Sequence, residues 1–148
     1  MPVVNRKFLL ADDDADDASL FCEALSKIAT DMECSTAENG AELFEVLSRR
    51  YPDKPDVIFL DINMPIMNGW DTLRKLKESS NYQNIPIIMY STSSAKKDVE
   101  LAYHLGVSLF LTKPEDFREL SAILEIVATH PKESLVRQLV GFKNVKMN

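Results

Sequence analysis

The chain has 148 residues, 45% of them apolar, which suits one compact domain with a sizeable core. Its formal net charge of -6 and pI near 4.9 argue against a nucleic-acid or anionic-membrane binder, because such proteins need a basic face. No apolar stretch approaches the roughly 18 residues of a membrane span, and the opening MPVVNRKFLLADDD runs into acid where a secretory leader would need a longer apolar region; a cytoplasmic protein is expected.

In chain order, the apolar run KFLLAD (7–12) reads as a first strand ending in acid. A helix over about 15–30 follows, with Leu20, Ala24, Leu25 and Ile28 on one face. MECSTA (32–37) is a short second strand. NGAELFEVLSRRY (39–51) is helical, with Leu43, Phe44 and Leu47 inward and Arg49 and Arg50 in the last turn, where cations suit the dipole. DVIFLD (56–61) is the third strand, followed by a helix around 68–79 carrying Trp70, Leu73 and Leu76. IPIIMYS (85–91) is the fourth strand, with Pro86 at its entry, where the missing N–H does least harm. A helix over 95–105 stops at Gly106, VSLFLT (107–112) is the fifth strand, and 115–129 the fifth helix. Strands apolar on both faces, alternating with amphipathic helices, predict a doubly wound α/β domain. Its five-stranded sheet would be parallel and covered on both sides. Cys22 and Cys34 have neither metal-ligand spacing nor a CxxC pattern, so buried free thiols in a reducing compartment are expected.

In this class ligands bind at the carboxyl ends of the strands, beside the switch point in strand order. The first strand ends in Asp12, Asp13 and Asp14, the third in Asp61, the fourth in Ser91 and Thr92, and the fifth in Thr112 and Lys113. Crowded carboxylates repel one another, so this rim calls for a cation. Oxygen ligands with room for water point to Mg²⁺, which takes one or two carboxylates together with a phosphate oxygen. Asp61 is then a candidate nucleophile for an acyl phosphate, with Lys113 and the Ser91 hydroxyl available for the other phosphoryl oxygens. Each piece alone has a plainer reading. Asp14, Asp16 and Asp17 suit a helix cap and its first turn, Asp61 could be a turn residue ahead of Pro65, Lys113 a solvated lysine before Pro114, and Ser91 a structural hydroxyl. Four strand ends that each offer the right group outweigh those separate readings.

The segments FLLADDD, VIFLDINMPIMNGWD, PIIMYSTSS and LFLTKP, with Ser91 30 positions after Asp61 and Lys113 a further 22 on, resemble the receiver domain of two-component response regulators. The likeness is to single-domain chemotaxis-type receivers and covers residues 6 to about 130. It implies a flavodoxin-like strand order 2-1-3-4-5 with five helices, over a domain spanning 1–130. It also implies that Asp61 is the phosphoacceptor, that Asp13 binds Mg²⁺ directly and Asp12 mainly through water, and that the main-chain carbonyl of Asn63 completes the protein ligands. Ser91, Thr92 and Lys113 would hold the phosphoryl group. Ser91 and Phe110 would be the switch pair, although Phe110 reads equally well as a core residue. The implied donor is a sensor histidine kinase or a histidine phosphotransfer protein. The implied readout is a downstream protein docking on the fourth helix, fifth strand and fifth helix, with no nucleic acid and no membrane involved.

Two details depart from the commonest pattern: Ser91 stands where Thr is frequent, and Thr92 where Ala or Gly is usual. The extra bulk of Thr92 is expected to narrow access and slow phosphoryl transfer. A phosphatase of the haloacid dehalogenase type would need an acid two residues after its nucleophile, and Asn63 stands there. A flavodoxin would need a Ser/Thr/Gly-rich first loop where this chain has ADDDADD. The protein is therefore expected to act by being bound rather than as an enzyme, either as a stand-alone switch or as a phosphorelay shuttle or phosphate sink. On the fifth helix Phe117, Leu120, Leu124 and Val127 form a core stripe, while Ile123 and Ile126 are either extra core or a partner contact. The segment 131–148 carries four cations against Glu133 and is expected to form a short amphipathic helix and tail around Leu135, Val136, Leu139 and Val140.

Overall fold

The computed structural model describes residues 6–28, 32–130 and 132–148. Ten elements alternate as expected: β1 (Lys7–Ala11), α1 (Ala15–Ser26), β2 (Glu33–Ala37), α2 (Gly40–Arg50), β3 (Val57–Leu60), α3 (Gly69–Glu78), β4 (Ile87–Ser91), α4 (Lys96–His104), β5 (Leu109–Thr112) and α5 (Phe117–Thr129). Residues 29 and 30, the expected end of the first helix, lie outside the described residues. The polar N-caps explain where several helices begin. Asp14 accepts from the N–H groups of Asp16 and Asp17, Asn39 from Glu42, Asn68 from Asp71, and Asp116 from Arg118. Helix α4 has Ala95 at its N-cap position and so no side-chain cap. It ends where Gly106 takes φ +102°, a conformation that only glycine adopts freely.

The expectation of five parallel strands is corrected by the tail. After a 3₁₀ turn (Lys132–Ser134) and a short helix α6 (Leu135–Leu139), a two-residue strand β6 (Val145–Lys146) pairs antiparallel with β5, setting Phe110 opposite Lys146 and Leu111 opposite Val145. The sheet is thus six-stranded and mixed, in the order β2-β1-β3-β4-β5-β6. Its five parallel strands keep the order expected from the family likeness. A two-residue strand has no periodic signature, so only the fold-back of the chain reveals it. The tail segment is therefore a helix and an edge strand packed on the domain.

The period of two along the strands splits the core into two layers. Phe8, Leu10, Phe59 and Leu111 face α1, α5 and α6; Leu9, Ile58, Met89 and Phe110 face α2, α3 and α4. Each fully buried Leu or Phe contributes on the order of 2 kcal/mol, and β3 is buried along its whole length. One helix face differs from expectation, and a second favours one of two open alternatives. In α1 the buried stripe is Phe21, Ala24 and Leu25, with Ile28 packed alongside, whereas Leu20 is 44% exposed. In α5 Ile123 is fully buried and Ile126 is half-buried against the same layer, so the core stripe is wide, as the extra-core alternative has it.

Cys22 on α1 and Cys34 on β2 form a disulfide, with Cα atoms 5.7 Å apart. This overturns the expectation of free thiols. Helix α1 lies against β2, and contact between a helix and a strand leaves no mark in cysteine spacing. Among the described residues no helix is long and apolar enough to cross a membrane.

Candidate functional site

The chain leaves β1 outward to β2 and then crosses to β3 on the other side, so the order reverses between β1 and β3. Asp12 and Asp61 stand at the carboxyl ends of those two strands. The ladder carries each one into place: Asp12 N–H donates to Ala37 O at 2.9 Å, and Asp61 N–H to Ala11 O at 2.9 Å. Both side chains are buried, and Asp13 beside them is exposed. One carboxylate oxygen from each of Asp12, Asp13 and Asp61 lies within 4.8 Å of the others, a grouping that could hold a metal ion.

Lys113 enters from the end of β5, its N–H bonded to Ser91 O at 2.8 Å. Its ammonium is 2.8 Å from Asp12 Oδ2, 3.0 Å from Asp17 Oδ2 and 3.4 Å from Asp61 Oδ2. It also lies 5.7 Å from the centre of the Tyr90 ring. Asp12 Oδ2 is the odd member. It is fully buried and carries no hydrogen bond, because the ammonium approaches it closely but off the required direction. Its charge is met by that ion pair alone, and a hard cation shared with Asp13 and Asp61 would complete its coordination. The donor set therefore fits a divalent ion.

Burial raises the pKa of Asp61 to about 6, opposed by Lys113 and reinforced by Asp12, while the N–H of Ile62 donates to Oδ1 at 2.8 Å and favours the charged form. Burial alone would lower the pKa of Lys113, but the close carboxylates of Asp12 and Asp17 and the charge of Asp61 lift it above its ordinary value. At neutral pH the site thus holds an ammonium and an ionised Asp61. Burial likewise pushes the Tyr90 hydroxyl above its usual range.

The loop after Asp61 is shaped by sequence. Gly69 N–H donates to Ile62 O at 2.8 Å, and a Cβ at Gly69 would collide with the Asp61 carbonyl oxygen, so α3 can start this close only with glycine. Asn63 is exposed in this loop. Ile66 takes φ +69° between Pro65 O and Met67 N, which are bonded at 2.6 Å, a strained γ-turn. Ser91 is buried at the end of β4, its Oγ accepting from Ser93 N–H at 3.2 Å, and Thr92 is exposed beside it. Phe110 is fully buried in the layer under α4.

Of the residues singled out from the sequence, Asp12, Asp13, Asp61 and Lys113 come together, with Ser91 at the neighbouring strand end. Asp14 and Asp16 stay with the helix start as expected. Asp17 belongs to the cluster as well as to the first turn of α1, a role its capping position had hidden. A larger pocket, about 460 Å³, opens at the opposite ends of the strands around Arg6, Asp56 and Pro86. It lacks the converging carboxylates.

Comparison with known proteins agrees with this geometry. The family described as response regulator receiver domain matches residues 8–125. The chain is similar to the chemotaxis protein CheY1 of Helicobacter pylori, 34% identical over 121 residues, which are 82% of this chain and 95% of that protein. Among solved structures it is similar to the phosphorylated cyanobacterial phytochrome response regulator RcpA (TM-score 0.77, 27% identity, covering 91% of this chain and 96% of that one). It is also similar to the Mn²⁺-bound form of response regulator Rcp1 (TM-score 0.71, 25% identity, covering 94% and 98%).

Proposed function

The chain belongs to the response regulator receiver family, and from that premise we propose that it accepts a phosphoryl group on Asp61 and changes its protein contacts in response. The observation that carries this reading is the convergence of three carboxylates and one ammonium at the β1/β3 switch point, with a buried Asp12 oxygen left without a hydrogen bond. The phosphorylated form of RcpA and the Mn²⁺-bound form of Rcp1 support the same chemistry.

Asp12, Asp13, Asp61 and the main-chain carbonyl of Asn63 would hold Mg²⁺, which when bound neutralises the negative charge that carboxylates and phosphoryl oxygens would otherwise set against each other. A carboxylate oxygen of Asp61 attacks phosphorus, forming an O–P bond. The N–P bond of a phosphohistidine donor breaks, and the imidazole leaves with the electron pair. Lys113 and the hydroxyl of Ser91, with Thr92 beside it, bind the transferred oxygens. The donor is a histidine kinase or a histidine phosphotransfer protein. The receiver domain spans 1–130, with 131–148 as an extension.

Phosphorylation adds up to about two negative charges beside Ser91 and Lys113, biasing β4, β5 and α4 between two arrangements through Ser91 and Phe110. The readout face of α4, β5 and α5 includes β6 in this protein, since the edge of β5 is occupied by Val145 and Lys146. A target therefore meets a surface that the tail helps to build. Incubating the protein with Mg²⁺ and acetyl phosphate should add a single phosphoryl group by mass, and Asp61→Asn should abolish it. Equal labelling of that variant would overturn the assignment. A partner bound only by the phosphorylated form supports the switch, whereas rapid return of the phosphoryl group to a histidine protein supports the shuttle.

A further inference from the structure

The shortest hydrogen bond of the Lys113 ammonium goes to a residue outside the metal-capable cluster. Asp17 Oδ2 accepts it at 3.0 Å, and the bond to Asp61 Oδ2 is stretched to 3.4 Å; the closest contact is the ion pair with Asp12 Oδ2 at 2.8 Å, which lacks hydrogen-bond direction. Asp17 is anchored for this task. Its N–H donates to the capping Asp14 Oδ1 at 3.1 Å, which fixes the first turn of α1, and its side chain is 34% exposed against 9% for Lys113. The ammonium is thus hung between α1 and β5.

We infer that Asp17 is a positioning residue for the proposed phosphoryl-transfer site: it draws the Lys113 ammonium toward α1 and holds it back from Asp61, which stays available to the cation and to the incoming phosphorus. This inference rests on the reading of the site given above. Asp17 is not a ligand, and its carboxylate is not among the oxygens that share a metal-sized space. Its effect runs through Lys113. Without Asp17 the ammonium, which has three donors and whose other ion pairs among the described residues are with Asp12 and Asp61, closes on Asp61 while keeping Asp12. It then competes with the divalent ion for the same oxygens. When phosphoryl oxygens arrive on Asp61 they offer stronger charge-assisted bonds than Asp17 does, and the lysine changes partner over a short distance.

The test is Mg²⁺ binding measured by calorimetry on the full chain, with no phosphoryl donor present. Asp17→Asn should raise the Kd for Mg²⁺ roughly three- to tenfold, the size expected for one partly exposed charged partner. Asp16→Asn removes the same charge from the same helical turn without touching Lys113, and should leave the Kd within about twofold. In a Lys113→Ala background, Asp17→Asn should have no larger effect than Asp16→Asn. Equal effects of the two Asn substitutions in the wild-type background would reduce Asp17 to bulk charge and overturn the inference. Loss of Mg²⁺ binding on Asp17→Asn that persists in the Lys113→Ala background would make Asp17 a ligand, and would overturn it too. Urea midpoints of Asp16→Asn and Asp17→Asn, compared in EDTA, show whether the helix start is intact in both. Mass labelling of the wild-type chain by acetyl phosphate reports separately on the functional reading, so either can fail alone.

Discussion

Asp61 is held in the folded protein at a disadvantage, and its replacement exposes how large that disadvantage is. The carboxyl rises from an ordinary 3.8 to about 6, chiefly because it is buried; at about 1.4 kcal/mol per pH unit this corresponds to about 3 kcal/mol of unfavourable ionisation. A carboxyl whose folded pKa exceeds its unfolded one binds its proton more tightly when folded. Its contribution to stability is complete below about pH 4, the unfolded value, and disappears as the pH climbs through 6. Asp61→Asn has no such titration. In EDTA the variant should match the wild type near pH 4 and exceed it by roughly 2–3 kcal/mol at pH 8. Saturating Mg²⁺ should close most of that gap by stabilising the wild type alone, by about 2.7 kcal/mol at a hundred times Kd. Urea unfolding followed by circular dichroism at pH 4.5, 6 and 8, with and without Mg²⁺, measures each quantity. A stability difference independent of pH, or a variant weaker than wild type at pH 8 in EDTA, would refute the view of Asp61 as a buried charge awaiting a cation.

Tyr103 links α4 to the tail, its hydroxyl donating to Lys146 O at 2.7 Å and accepting from the N–H of Phe110 at 3.2 Å. Tyr103→Phe should weaken tail docking by about 2 kcal/mol, seen as faster hydrogen exchange over 142–146, and unchanged exchange there would show that the tail is held by other contacts. Ile66 is 85% exposed and held at φ +69°. Ile66→Asn should therefore stabilise the protein by about 1 kcal/mol in urea, since asparagine tolerates that conformation and little burial is lost; a lower urea midpoint would contradict the strain assigned to the loop. Thr92→Ala should speed labelling by acetyl phosphate and shorten the acyl-phosphate lifetime by roughly two- to fivefold, a barrier change of under about 1 kcal/mol. An unchanged lifetime removes Thr92 from the control of access.

What the sequence revealed and what it hid divide along a physical line. Alternation of β1, β3 and β4 with amphipathic helices is a local pattern, and it located the ends of those strands, where Asp12, Asp61 and Ser91 stand. The features that escaped are contacts between distant segments. Val145 and Lys146 form a strand only because the β5 edge is free to receive them, and Cys22 meets Cys34 only because α1 lies against β2. Leu20 is a different case. The spacing of Phe21, Ala24, Leu25 and Ile28 is the i, i+3, i+4, i+7 stripe, so the buried face is legible in the sequence and Leu20 lies off it. Asp17 suits the helix start on dipole grounds, yet the same first turn reaches Lys113 at the strand ends, and so one carboxylate serves both purposes.

The tail and the acidic site meet in β5. Thr112, the residue before Lys113, gives both its N–H and its hydroxyl to Asn144 O, at 2.8 and 3.0 Å, and receives a bond from the Asn144 side chain on its own carbonyl at 3.1 Å. Three hydrogen bonds thus tie the backbone next to the ammonium to the segment that leads into β6. Farther along the same strand, Phe110 is held by Tyr103, which also holds Lys146. Lys113 cannot shift its main chain without loading Asn144, and α4 cannot rotate Tyr103 away without releasing Lys146. Packed elements of this kind move between discrete arrangements rather than by continuous deformation. A surface read by a partner at α4, β5 and α5 therefore includes the position of the tail among its variables, which a receiver without the extra strand would lack.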